Sequence, residues 1–140
     1  MHKPNWHVIV MDHARIIQIS GITCVVRSRT WMIQMLGSHD ITFDNIKVIG
    51  GCKGNANQDG MDWLGGGDTV VRDSFFRASD DVFALQGNWL GYDAQSMTTP
   101  GEIISNISIE NSVLSTSISN VVRVSWPTKV FDTNHFKMTN

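Results

Sequence analysis

Two acid clusters carry the chemistry that this sequence offers. Asn57-Gln58-Asp59-Gly60-Met61-Asp62-Trp63 sets a lone Asp ahead of a short apolar run, and Ala78-Ser79-Asp80-Asp81-Val82-Phe83-Ala84-Leu85 sets a pair ahead of another. Aligning Asp59 with Asp81 also aligns Met61/Trp63 with Phe83/Leu85, a step of 22 residues. If that step is one turn of a coiled sheet, the backbones bearing the acids lie about 4.8 Å apart. Three acids so close cannot all ionise comfortably, so one should keep its proton at neutral pH. A retained proton beside ionised carboxylates is what acid/base hydrolysis of a glycosidic bond requires. Strict alternation would turn Asp59 inward with Met61, so this reading needs Gly60 to break the phase. Clustered carboxylates also suit a calcium ion, and single Asp residues populate turns.

The elements that must position these acids repeat along the chain. Five segments share an apolar, any, apolar, any, turn-residue pattern: Ile17-Gln18-Ile19-Ser20-Gly21, Ile41-Thr42-Phe43-Asp44-Asn45, Thr69-Val70-Val71-Arg72-Asp73, Ile107-Ser108-Ile109-Glu110-Asn111 and Phe136-Lys137-Met138-Thr139-Asn140. Their starts lie 24, 28, 38 and 29 residues apart. Recurrence on this scale points to a solenoid, and alternation within each unit to strands. A second short strand precedes most units (Ile33/Met35, Met61/Trp63, Phe83/Leu85, Val122/Val124). A third follows them (Ile22/Cys24, Ile46/Val48, Phe75/Phe76, Val113/Leu114). Three short strands per turn predict an all-β chain, a right-handed single-stranded parallel β-helix of about five coils. The turn residues Asn45, Asp73, Asn111 and Asn140 should stack and hydrogen-bond along the axis. The plainer alternative, unrelated turns in a β-sandwich, predicts no common period.

Bulk properties narrow the function. At 140 residues, with 41% hydrophobic and 17% charged residues, the chain reads as one globular domain, residues 1–140. A net charge of −2 gives no electrostatic case for nucleic acid. No apolar run reaches the length of a membrane span, and Val8 to Met11 is too short for the core of a signal peptide. Cys24 falls at an inward-type position and is expected as a buried free thiol; a disulfide with Cys52 is possible and not required. The repeat is running by Ile17 and still running at Asn140, with no polar cap evident. The expectation is therefore a piece of a longer chain, or end coils that pair with something else. Residues 87–104, marked by Gly, Pro and Ser, read as a loop inserted after the Asp pair, with Trp89 and Tyr92 able to offer flat faces to a sugar ring.

Most of residues 16–86 resembles the polygalacturonases, family 28 of the glycoside hydrolases, within the pectin-lyase-like β-helices. The resemblance runs through Ile19-Ser20-Gly21-Ile22-Thr23, Arg27-Ser28-Arg29-Thr30-Trp31-Met32-Ile33, Asp40-Ile41-Thr42-Phe43-Asp44-Asn45-Ile46-Lys47-Val48, Asn57-Gln58-Asp59-Gly60 and Ser79-Asp80-Asp81-Val82-Phe83-Ala84-Leu85. The family's Asn-Thr-Asp motif falls on Asn57-Gln58-Asp59, and its Gly-Asp-Asp motif on Ser79-Asp80-Asp81. The resemblance implies that Asp80 is the general acid, that Asp59 and Asp81 hold and deprotonate the attacking water, and that anomeric configuration is inverted. It implies a polysaccharide or oligosaccharide substrate, contacts to it from Asn57, no cofactor or metal, and a secreted or periplasmic location. The sequence departs from the family in lacking a later Gly-His-Gly motif, and it has Arg123-Val124-Ser125 where the family has Arg-x-Lys. Arg123 could still face substrate, but a neutral sugar is then as good a candidate as a uronate. Two alternatives remain: a non-catalytic carbohydrate-binding or adhesin module, and a calcium-dependent polysaccharide lyase.

Overall fold

A computed structural model describes residues 7–27, 30–50, 56–86, 104–124 and 135–140. The chain is all-β, and every strand pairing described is parallel. In chain order the strands are β1 (Ile9–Asp12), β2 (Arg15–Ser20), β3 (Thr23–Val26), β4 (Ile33–Asp44), β5 (Lys47–Gly50), β6 (Met61–Arg72), β7 (Phe75–Ala78), β8 (Phe83–Leu85), β9 (Ile104–Glu110), β10 (Val113–Thr116), β11 (Val122–Val124) and β12 (Phe136–Thr139). They form two sheets. The larger has eight strands, with a spine β1-β4-β6-β8-β11 to which β2, β9 and β12 attach. The smaller runs β10-β7-β5-β3.

The register follows the sequence repeat. The starts of the five units stand in one row of partners: Ile17 opposite Ile41, Ile41 opposite Thr69, Thr69 opposite Ile107, and Ile107 opposite Phe136. The preceding strands make a second row, Ile33, Met61, Phe83 and Val122, and the following strands a third, Cys24, Val48, Phe76 and Leu114. Strand β1, which the repeat does not predict, extends the second row with Ile9 opposite Ile33. Apolar side chains from all three rows meet in one core. Phe43, Val48, Met61, Trp63, Val71, Phe76 and Phe83 are all fully buried within it. Trp63 is therefore a core residue, with its ring tilted against Phe83. Cys24 is a free thiol, half-buried against the same core.

Left-handed backbone turns the chain at the corners. Gly21, Asn45, Asp73 and Asn111 have φ of 69°, 51°, 52° and 42°. Gly and Asn tolerate this region best. The Asn111 amide donates to Asp73 Oδ1, as the stacking argument requires. A second corner lies inside the long strands, at Ile16, Asp40, Asp68 and Asn106, all at positive φ. The Asn106 amide donates to Asp68 Oδ1 at 2.6 Å. Ile16 is the exception in chemistry, a β-branched residue at φ 56° and 84% exposed. Ile104 already belongs to β9, so residue 104 is strand and not loop; residues 87–103, with Trp89 and Tyr92, lie outside the described residues, as do Cys52 and Trp126.

Candidate active site

The acids gather where a turn enters β6 and another enters β8. The turns are fixed to each other by main-chain bonds: Gly60 N–H donates to the Asp81 carbonyl at 2.8 Å, and Met61 N–H to the Val82 carbonyl at 2.9 Å. A Cβ on Gly60 would sit 2.4 Å from the Val82 carbonyl oxygen, so the approach demands glycine. This turn also breaks the strand phase as the carboxyl geometry requires. Met61 is in the core, while Asp59 interacts with Asp62, Asp80, Asp81 and Arg123.

Asp59, Asp80 and Asp81 each bring a carboxyl oxygen within 4.8 Å of the others. The three acids singled out from sequence are thus one cluster, and their settings differ. Asp81 is buried. Its Oδ1 accepts from the Ser119 hydroxyl at 2.6 Å and from the Asn120 N–H and side-chain amide at 3.1 Å each, while Oδ2 accepts from Arg123 Nη1 at 3.2 Å. Burial alone would raise its pKa, but the bonds from Ser119, Asn120 and Arg123 prevail and hold it below the ordinary carboxylate value. Asp59 goes the other way. Burial first, then the charges of Asp80 and Asp81, push it up to about 8, against smaller opposing contributions from Arg123 and a hydrogen bond with Asp62. At neutral pH the cluster therefore holds a proton on Asp59 and a charge on Asp81.

Asp80 is half-exposed at the rim. Its Oδ2 accepts the Asn57 N–H at 2.7 Å and its Oδ1 the Asp81 N–H at 3.0 Å. Asn57, expected as a substrate contact, is exposed at φ 64° and reaches the site through its main chain. Arg123 lies on the acid face as expected, but it is engaged with Asp81. The motif departures meet each other: the Ser79 hydroxyl donates to Gln58 Oε1 at 3.1 Å, and Gln58 Nε2 donates to the Val26 carbonyl at 3.1 Å, both in buried surroundings beneath the acids.

Sequence reasoning missed Asp62, Gln86, Ser119 and Asn120. Asp62 is fully buried and accepts a hydrogen bond from the Gln86 amide. Asn120 had a legible signal. It precedes Val122 by two residues, as Asp81 precedes Phe83 and Asp59 precedes Met61, so it falls in the acids' own row. On the same face Trp31, Leu36 and Leu64 form a small buried apolar cluster apart from the main core.

Comparison with known proteins yields no match, whether with family models, with curated proteins or with solved structures.

Proposed function

We propose that this chain hydrolyses glycosidic bonds of a polysaccharide, using Asp59, Asp80 and Asp81 as its acid/base machinery. The observation that carries the reading is three carboxyls within 4.8 Å in unlike settings: Asp59 buried with no donor on its Oδ1 and pushed up to about 8, Asp81 held low by four donors. A group that keeps its proton at neutral pH can protonate a departing sugar oxygen, and an ionised neighbour can deprotonate water. The resemblance gives the acid's part to Asp80. The protonation pattern favours Asp59 for it, with Asp81 as the base. We read the scaffold as a right-handed single-stranded parallel β-helix of about five coils, pectin-lyase-like, because three rows of parallel strands share the five-unit period. A secreted or periplasmic enzyme without cofactor is the corresponding expectation.

Inversion is what the resemblance implies. The three carboxyls each bring an oxygen within 4.8 Å of the others, a tight grouping beside the roughly 6.5–9.5 Å carboxyl separation of inverting enzymes. The anomer first released, read by NMR, decides between inversion and retention. A calcium-dependent lyase is disfavoured by Asp81, whose oxygens already accept four hydrogen bonds, one from a guanidinium that would repel a cation.

The test is incubation of wild type, Asp59→Asn and Asp80→Asn with a panel of plant and microbial polysaccharides. Reducing ends from wild type, without ultraviolet-absorbing unsaturated product, support the hydrolase. Aryl glycosides with activated leaving groups then identify the acid, since only the variant that lost the acid regains turnover on them. Folded protein that binds sugars and releases nothing would replace this reading with a carbohydrate-binding module.

A further inference from the structure

We infer that Asp62 is a fourth carboxyl of the site, a positioning residue that keeps its proton and donates it in a hydrogen bond to Asp59. The inference rests on the hydrolase reading only where it concerns turnover; the bond itself is argued from two buried carboxyl oxygens that lack partners.

Asp62 lies on β6, one residue beyond the core side chain of Met61, in a row with Gln34, Ala84 and Arg123. It is fully buried. Its Oδ1 accepts from the Gln86 amide, and its Oδ2 makes no hydrogen bond; the buried side-chain nitrogen of Gln34, opposite it in register, makes none either. Asp59 presents the complementary vacancy, a buried Oδ1 that also lacks a donor. Asp59 stands three residues before Asp62, and each carboxyl acts on the other. Neither oxygen can satisfy the other if both groups are ionised, because carboxylates only accept. One proton between them resolves the vacancy.

Placement decides which group keeps it. Among the described residues, the charged groups acting on Asp62 are acids, Asp59 first and then Asp81 and Asp80, and the one donor bonded to it is the neutral Gln86 amide. Arg123, by contrast, is paired with Asp81. A fully buried carboxylate with one neutral donor and like charges around it is strongly disfavoured, and Asp62 is accordingly raised well above the ordinary range, by burial first and then by Asp59. The neutral carboxyl then has an O–H to give, and a hydrogen bond from Asp62 is among the influences that lower Asp59. As Asp59 yields its proton to a leaving oxygen, negative charge grows on its carboxyl and the Asp62 bond strengthens, so the stabilisation is larger in the transition state than before it. Gln86, fixed to the other oxygen, sets the direction of the O–H.

The experiment is a carboxyl-carbon NMR titration of the 140-residue chain, with the Asp59 and Asp62 signals assigned by their loss in Asp59→Asn and Asp62→Asn. In wild type the Asp62 carboxyl stays protonated through the Asp59 transition near pH 8. Asp62→Leu removes the donor without removing a charge, and the Asp59 midpoint rises by about one unit, tenfold in acidity. Asp62→Asn keeps an N–H donor and leaves the midpoint within a few tenths of wild type. An Asp62 signal that titrates in the ordinary carboxylate range overturns the inference in wild type alone, whatever the variants do. So does an Asp59 midpoint that is unmoved or lowered in folded Asp62→Leu, or an Asp62→Asn protein that behaves like the Leu variant. The alkaline limb of kcat/KM should follow the Asp59 midpoint across the series. A limb that stays put while the midpoints move would remove Asp59 as the acid and leave its bond with Asp62 intact.

Discussion

Ser79 and Gln58 hydrogen-bond each other, side chain to side chain, at 3.1 Å in a buried contact. They are the two positions where the acid motifs differ from the resembled pattern, and each stands immediately before an acid of the cluster. The pair ties the turn carrying Asp59 to the turn carrying Asp80, and Gln58 extends the tie to the Val26 carbonyl.

A double-mutant cycle should expose this coupling. Ser79→Gly and Gln58→Thr each break the buried bond between the two side chains, at a cost of about 0.5–1.5 kcal/mol. The double variant should cost less than the two together by about 0.5–3 kcal/mol. Urea unfolding measures all four proteins, and strictly additive costs would show that the pair is not coupled.

Stability should fall as pH rises from about 4 to 8. In this window native Asp59, at about 8, keeps a proton that the unfolded chain, near the ordinary carboxylate value of 3.8, has released. The folded state then binds more protons than the unfolded one, so the contribution present below pH 4 is lost as pH passes the folded value. Asp62 acts in the same direction. Asp81, held low, stabilises above the ordinary carboxylate range and loses its contribution as pH falls. Thermal midpoints of Asp59→Asn should depend less on pH between 5 and 9 than those of wild type; equal slopes would place the retained proton elsewhere.

Removing the base should cost more than removing its support. Asp81→Asn is expected to lower kcat/KM by about 10²–10⁴-fold. Arg123→Met takes one donor from Asp81 and a positive charge from the neighbourhood of Asp59, so both carboxyls rise. Its pH–rate profile should shift to higher pH on both limbs while the protein remains folded by circular dichroism. An unshifted profile would separate Arg123 from the chemistry.

Gly60→Ala should destabilise the fold by about 1–3 kcal/mol, since the added methyl meets the Val82 carbonyl at 2.4 Å and main chain must move. The same displacement pulls the Asp59 turn from the Asp81 turn, so activity should drop beyond the loss of folded protein. Denaturant midpoints together with specific activity per folded molecule measure the two effects.

The sequence by itself determined the rows of strands. Alternation and turn chemistry are local properties, and the starts Ile17, Ile41, Thr69, Ile107 and Phe136 could be put in register from them alone. It also determined that Asp59, Asp80 and Asp81 share a site, because their spacing matched the strand period. Strand β1 was not legible. Val8 to Met11 is an unbroken apolar run without the repeat's turn residue, and it becomes strand by pairing with β4. The identity of the proton holder was not legible either. Asp59 and Asp81 occupy equivalent places in the repeat, and only burial and neighbours tell them apart: Ser119, Asn120 and Arg123 arrive from some 40 residues downstream to hold Asp81 ionised, while Asp59 is buried beside the acids Asp80, Asp81 and Asp62 with no donor on its Oδ1. Strand pattern is set by each segment's own side chains. Protonation is set by the field and solvent access that distant segments create, and that exists only once they are packed together.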